Sequence, residues 1–173
     1  MQMRYHAAMT HDLTDRQLGG WSAARPDLEV GALQVTARLS RIGPLLERRQ
    51  EAVFGQFGLS RGEVGALGAL RVAGPPHQLS PTRLGKGLMM SSAGVTSRID
   101  RLERRGFVRR LPDPDDRRGV IIELTDQGRE VVDAAVAALA SSDRLLVGRL
   151  DPQEIDQLEG LLRKFLAGLE LPD

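Results

Sequence analysis

The chain has no cysteine. That excludes disulfides, thiolate metal sites and redox sensing by a thiol. Histidine is nearly as scarce: His6, His11 and His77 are scattered through expected loop or terminus, with no pair spaced along one helical face as a metal site requires, so they are read as surface residues. No apolar run is long enough to span a bilayer and no N-terminal stretch has signal-peptide character, which points to a cytoplasmic protein with no membrane partner. Paired carboxylates in an apolar setting, a nucleophile elbow and a phosphate loop are all missing, so an enzyme has no support and no cofactor is expected. An excess of charge is missing too, at a net +1 over 173 residues. The length suits one domain with extensions and its own core.

The charge that is present is unevenly placed. Between Arg83 and Arg118 stand ten basic residues against five acids, which leaves the remainder mildly acidic. Positive potential is therefore concentrated in one stretch. Almost all of it is arginine, which fits bidentate contacts to phosphate and guanine and equally fits a genome-wide codon bias.

Residues 1–11 lack periodicity and are expected to be disordered. A short helix over 14–24 carries Leu18 and Trp21 and ends before Pro26. Apolar residues at Val35, Leu39, Ile42, Leu46, Val53 and Phe57 predict a helix over 28–57, kinked or split at Ile42 by Gly43-Pro44. Ser60 should cap a helix to about Ala73 with Leu59, Val64, Leu67 and Leu70 inward, and Gly74-Pro75-Pro76 breaks the chain. Ser80-Pro81 opens a further helix as cap and first-turn proline. In the next, begun by a cap serine and ended by Gly106, Val95, Ile99 and Leu102 form the buried stripe, so Ser97, Arg101 and Arg104 face outward and Arg98 lies on the flank.

Two β-type runs, 107–111 and 120–124, then flank a tip rich in Pro, Asp and Arg, the pattern of a hairpin with a long loop. An outward-basic helix followed by a basic hairpin reads as a recognition helix and wing for double-stranded DNA. Thr125 caps a long helix to about Leu150 with Val132, Val136, Leu139, Leu146 and Leu150 on one side. Asp151-Pro152 starts a last helix whose Ile155, Leu158, Leu162, Phe165 and Leu169 repeat as a heptad. That is more apolar face than a lone winged helix needs; a homodimer would cover it, as would packing within the chain.

The segment LSPTRLGKGLMMSSAGVTSRIDRLERRGFV, the wing motif Asp116-Arg117-Arg118-Gly119 and the exit Leu124-Thr125-Asp126-Gln127-Gly128 resemble the MarR family of winged helix-turn-helix regulators over roughly residues 28–170. The resemblance implies a mostly α fold with a small β-hairpin wing and an obligate dimer held by its terminal helices. The expected organisation is a disordered 1–11, an N-terminal extension and dimerisation helix over 12–57, a winged helix-turn-helix over 58–125 and C-terminal dimerisation helices over 126–173. In the wing, Arg118 is assigned to the minor groove, Arg117 to phosphate and Asp116 to orienting Arg118. Ser91, Ser92, Ala93, Gly94, Ser97 and Arg101 are assigned to the major groove, where small residues permit close approach, and Arg83 and Lys86 to the DNA backbone. For Arg104 and Arg105, contact with DNA and a place at the helix C-terminus in solvent weigh evenly.

An extra helix bearing Trp21, with Arg98 in the recognition helix and Arg110 at the wing base, resembles the urate-responsive branch of the family. In that branch such residues form a ligand cleft between the dimer interface and the DNA-binding lobe, together with an acid in the second helix. The aligned position here is Gly65, and Glu63 is expected to face elsewhere. A small anionic or phenolic effector is therefore expected, with urate a poor one. Trp21 as simple packing and Arg110 as an ion-pair partner remain equal readings. The leading function is a ligand-responsive transcriptional regulator, a repressor on a pseudo-palindromic operator; the alternative is an architectural DNA binder with no effector.

Overall fold

Local capping decides where most helices begin, and a computed structural model describes residues 11–88, 91–114, 116 and 119–170 of the chain. They form two bodies, one up to Arg49 and one from Gln50 onward.

In the first body, α1 (Leu13–Ala24) starts at Asp12, whose carboxylate accepts from the Asp15 N–H while Asp15 accepts from the Asp12 N–H. This reciprocal capping box satisfies two otherwise orphaned donors. Arg38 of α2 (Leu33–Gly55) donates to Asp12 at 3.0 Å and Asp15 at 2.7 Å, fastening the start of one helix to the side of the other. Leu18 is buried as its helical spacing implies, whereas Trp21 is 57% exposed.

Helix α2 corrects two expectations. It begins at Leu33 rather than Leu28, because residues 25–32 form turns in which Arg25 chelates Asp27 and Gly31 disfavours helix. It is also not split at Ile42 but continues through Pro44 as one helix. Gly43 has no Cβ to meet the proline ring, which removes the usual restriction on the residue before proline.

The second body is built on Phe54, at the end of α2, with Leu59, Leu67, Leu70, Leu84, Ile99, Leu102 and Ile122 among its core residues. Helix α3 (Arg61–Val72) has Ser60 and Glu63 as its capping box, and α4 (Pro81–Gly87) starts at Ser80 with proline at its first position. Ser91 caps α5 (Ser92–Arg104), which buries Val95, Ile99 and Leu102. Gly106 at φ 75° then turns the chain into the wing, a left-handed conformation that favours glycine.

The wing strands are β2 (Val108–Pro112) and β3 (Val120–Leu124), paired antiparallel from Val108↔Leu124 to Pro112↔Val120. A strand not foreseen, β1 (Gln78–Leu79), pairs with the other edge of β3, giving the order β1-β3-β2. Helix α6 (Asp126–Val147) is capped by Thr125 and buries Val132 and Ala135. Of its expected apolar face, Leu139 packs on the core but Val136 is 47% exposed. Helix α7 (Pro152–Glu170) has no buried residue, and Leu158, Leu162, Phe165 and Leu169 all stand open to solvent. Among the described residues no helix is long and apolar enough to cross a membrane.

Candidate nucleic-acid interface

The outer face of α5 is the surface opposite its buried stripe. Because Val95, Ile99 and Leu102 are fixed in the core, Ala93, Thr96, Ser97, Asp100, Arg101 and Arg104 come together along an open groove on the other side. Small side chains lie at its N-terminal end and arginines at its C-terminal end. The Arg101 Nη1 donates to the Ser97 hydroxyl at 3.1 Å, one helical turn away. Ser91 accepts from the Gly94 N–H at 3.2 Å as the N-cap, which leaves its hydroxyl hydrogen for an outside acceptor. Arg83 and Lys86 are exposed on α4. For Ser92 only its place at the start of α5 is described.

Arg104 donates to the Asp100 carbonyl. Arg105, by contrast, is held by the fold: it donates to the Gly58 carbonyl at 2.8 Å and lies 4.6 Å over the Phe107 ring. Arg105 is thus tied to the scaffold, whereas Arg104 lies along the open groove of α5.

Glu63 faces away from the groove that Gly65 lines and is buried beside Arg101 and Arg105. Its Oε2 accepts from the Ser60 N–H and hydroxyl, both at 2.9 Å, and its Oε1 lies 3.6 Å from Arg101 Nε and 4.0 Å from Arg105 Nη1. Burial pushes this carboxyl up, but the Ser60 hydrogen bonds and the charges of Arg105 and Arg101 outweigh it and hold the group below the ordinary carboxylate range. Glu63 is therefore charged at neutral pH. The Ser60-x-x-Glu63 spacing identifies the capping box in sequence, although nothing local points to α5.

Arg98 lies on the flank, as the helical angle implies, and lines a groove with Gln50, Glu51, Arg61, Gly62, Gly65 and Leu88. A Cβ on Gly62 would fall 2.3 Å from Arg98 Nη2, so the glycine makes room for the guanidinium. Arg110 does not line that groove. It pairs with Asp100 and Glu103 of α5, and this clamp of two carboxylates raises its pKa. The ion-pair reading of Arg110 accounts for its position at the wing base. Arg109 pairs with Glu123, which also accepts from Gln78 of β1.

At the wing tip, Gly119 donates to the Asp116 carbonyl at 2.8 Å and accepts from the Asp113 N–H at 3.1 Å. A Cβ on Gly119 would meet Asp113 Cβ at 2.7 Å, so the tight closure needs glycine. Arg117 and Arg118, assigned to phosphate and minor groove, lie outside the described residues. Among the described residues no cluster of three His, Asp or Glu side chains forms a metal site.

Comparison with known proteins agrees with this geometry. The model of the MarR family matches residues 57–119, from the turn before α3 to the wing tip. The HTH-type transcriptional regulator PecS of Dickeya dadantii is 37% identical over 142 residues, covering 82% of this chain and 86% of that protein. The HTH-type transcriptional repressor NicR of Pseudomonas putida is 33% identical over 73% of this chain and 82% of its own length. Among solved structures, a MarR family transcriptional regulator from Streptomyces coelicolor superposes with a TM-score of 0.68 at 29% identity, covering 84% of this chain and all (100%) of that one. A mutant MarR from E. coli complexed with operator DNA gives 0.68 at 26% identity, covering 81% and 99%. The chain belongs to the MarR family and is a DNA-binding transcriptional regulator.

Proposed function

We propose that the protein is a ligand-responsive repressor that binds a pseudo-palindromic operator as a homodimer. The observation that carries this reading is the outer face of α5, where Ala93, Ser97 and Arg101 share one groove beside a capped, small-residue N-terminus. In this reading Ser91, Ser92, Ala93, Gly94, Ser97 and Arg101 meet base edges in the major groove, and Arg83 and Lys86 hold phosphates. Arg118, oriented by Asp116, enters the minor groove, with Arg117 on phosphate. The apolar stripe of α7, with the exposed side of α6, is covered by a second copy, so that two recognition helices match half-sites roughly 10 bp apart.

The effector in this reading is a small anion or phenol that engages Arg98. One guanidinium cannot serve both a ligand carboxylate and the DNA-competent pose, so effector and operator weaken each other by the same factor, typically about 5- to 150-fold. Gly65 lines the Arg98 groove without offering a carboxylate, and the Glu51 carboxylate there accepts from the Arg61 N–H, which favours simple aromatic acids over urate.

Selection of bound sequences from random duplex DNA, repeated with salicylate-like acids and with urate, tests the whole reading. The expected result is an inverted repeat whose enrichment falls when the aromatic acid is present. An affinity that no acid changes, with weak preference and a steep salt response at every site, would instead describe an architectural binder. Dimerisation is checked separately by sedimentation: Leu162→Glu should yield a monomer that loses tight operator binding, and a monomeric wild type would remove the proposal.

A further inference from the structure

The two carboxylate oxygens of Glu63 face in different directions. One completes the cap of α3 by accepting from Ser60. The cap is complete with that oxygen alone, yet the other is turned toward α5, 3.6 Å from Arg101 Nε and 4.0 Å from Arg105 Nη1. Arg105 has independent anchors in the Gly58 carbonyl and the Phe107 ring. Besides Glu63, Arg101 has the Ser97 hydroxyl one turn away on its own helix, to which its Nη1 donates at 3.1 Å; its side chain is 47% exposed and stands in the outer groove of α5.

We propose that Glu63 is a positioning residue that sets DNA specificity: it tethers the Nε edge of Arg101 from inside the protein, so that this guanidinium presents its other edge to bases and does not swing to phosphates. The proposal rests on the reading of Arg101 as a base-contacting residue. An arginine held at both Nε and Nη1 has a fixed fork, the geometry that bidentate guanine contacts require. At 3.6 Å the pair is an ion pair rather than a close hydrogen bond, strong enough to bias the side chain and open to exchange when DNA arrives.

Glu63→Gln separates the charge from the cap, because glutamine serves equally in the third position of a capping box. The measurement is the affinity of the full-length protein for its selected operator and for a scrambled duplex, each over a salt series. With the charge removed, the operator-to-scrambled ratio should fall about two- to fivefold, the range of a half-exposed ion pair. The salt slope on scrambled DNA should steepen by up to about 0.9, one added phosphate contact. In an Arg101→Ala background the same change should leave the ratio where Arg101→Ala alone put it.

Ser60→Ala is the counterpart, since it weakens the cap and keeps the charge: the thermal midpoint should drop while the ratio stays. An unchanged ratio in Glu63→Gln, an effect that persists without Arg101, or an equal loss of ratio in Ser60→Ala would each overturn the proposal. If Arg101→Ala itself leaves sequence preference untouched, it is the reading of the α5 face that fails, and the tether with it.

Discussion

Gly128, in the first turn of α6, is where the exit helix meets the root of the wing, and Gly128→Ala should destabilise the fold although alanine is the better helix former. The added methyl would lie 2.0 Å from the Phe107 carbonyl oxygen and 2.9 Å from Leu124 Cδ1. Ordinary carbon–oxygen contacts fall near 3.3 Å, so relief demands a movement of roughly 1 Å or more. That movement is opposed on both sides of the contact. The Phe107 carbonyl accepts from the Thr125 N–H at 3.1 Å, and the Thr125 hydroxyl donates to the Gly106 carbonyl at 2.7 Å. Overpacking costs about 1–3 kcal/mol, a stretched or lost hydrogen bond about 1, and alanine returns at most about 1 through propensity. The net loss is therefore about 1–3 kcal/mol, a fall in melting temperature of roughly 3–10 °C for a chain of this size. Gly68→Ala is the control, because its Cβ would meet nothing within 4 Å in the middle of α3; there the midpoint should rise by a few degrees, about 2–4 °C. Thermal unfolding followed by circular dichroism compares the three proteins under one buffer. A Gly128→Ala protein as stable as wild type, beside a stabilised Gly68→Ala, would refute the reasoning.

Thr125→Ala removes both the α6 cap and the bond to Gly106, and urea unfolding should show a loss of about 1–2 kcal/mol. Glu63 and Glu123 both sit below their ordinary 4.5 when folded, Glu63 through Ser60 and two arginines in spite of burial, Glu123 through Gln78 first and Arg109 second. Their stabilisation is therefore fully present above 4.5 and is lost as pH falls through the lower folded values. Glu123→Gln should flatten the acid limb of a stability–pH curve, and an unchanged limb would count against the assignment. Gly62→Ala must displace the flexible Arg98 guanidinium from 2.3 Å, so the melting temperature should change little while the effector concentration needed to release DNA rises; gel shift with added aromatic acid reads this directly.

The elements that were legible in sequence are those whose ends are written locally. Ser60, Ser80, Ser91 and Thr125 each accept from the backbone N–H three residues on, so spacing alone locates α3, α4, α5 and α6. The buried stripe of α5 likewise follows from a rotation of about 100° per residue, and with it the outward position of Ser97 and Arg101. What was not legible depends on tertiary neighbours. Strand β1 has two residues, too few for an alternating pattern, and exists because β3 offers it an edge. Phe54, the aromatic that joins α2 to the core, escaped the apolar face drawn through Val53 and Phe57. Pro44 marks a kink or split by residue type alone, whereas Gly43 before it lets the helix continue. Glu63 shows the same limit at the site, since its sequence neighbours explain one of its oxygens and only the approach of Arg101 and Arg105 to the start of α3 explains the other.

The order β1-β3-β2 has a mechanical consequence. Ile122 is fully buried and pairs with Leu79 on one side and Arg110 on the other, which makes it a fulcrum shared by the chain entering α4 and by the wing. The last paired rung, Pro112↔Val120, is two residues further out, roughly 7 Å along the strand. The wing is thus a short lever joined at its root, through β3, to the segment that launches the helix-turn-helix. If the wing tip enters a narrow groove, as proposed above, a torque applied there would reach Leu79 and Ser80 along that one strand, and a sequence that alters groove width would be felt at the start of α4.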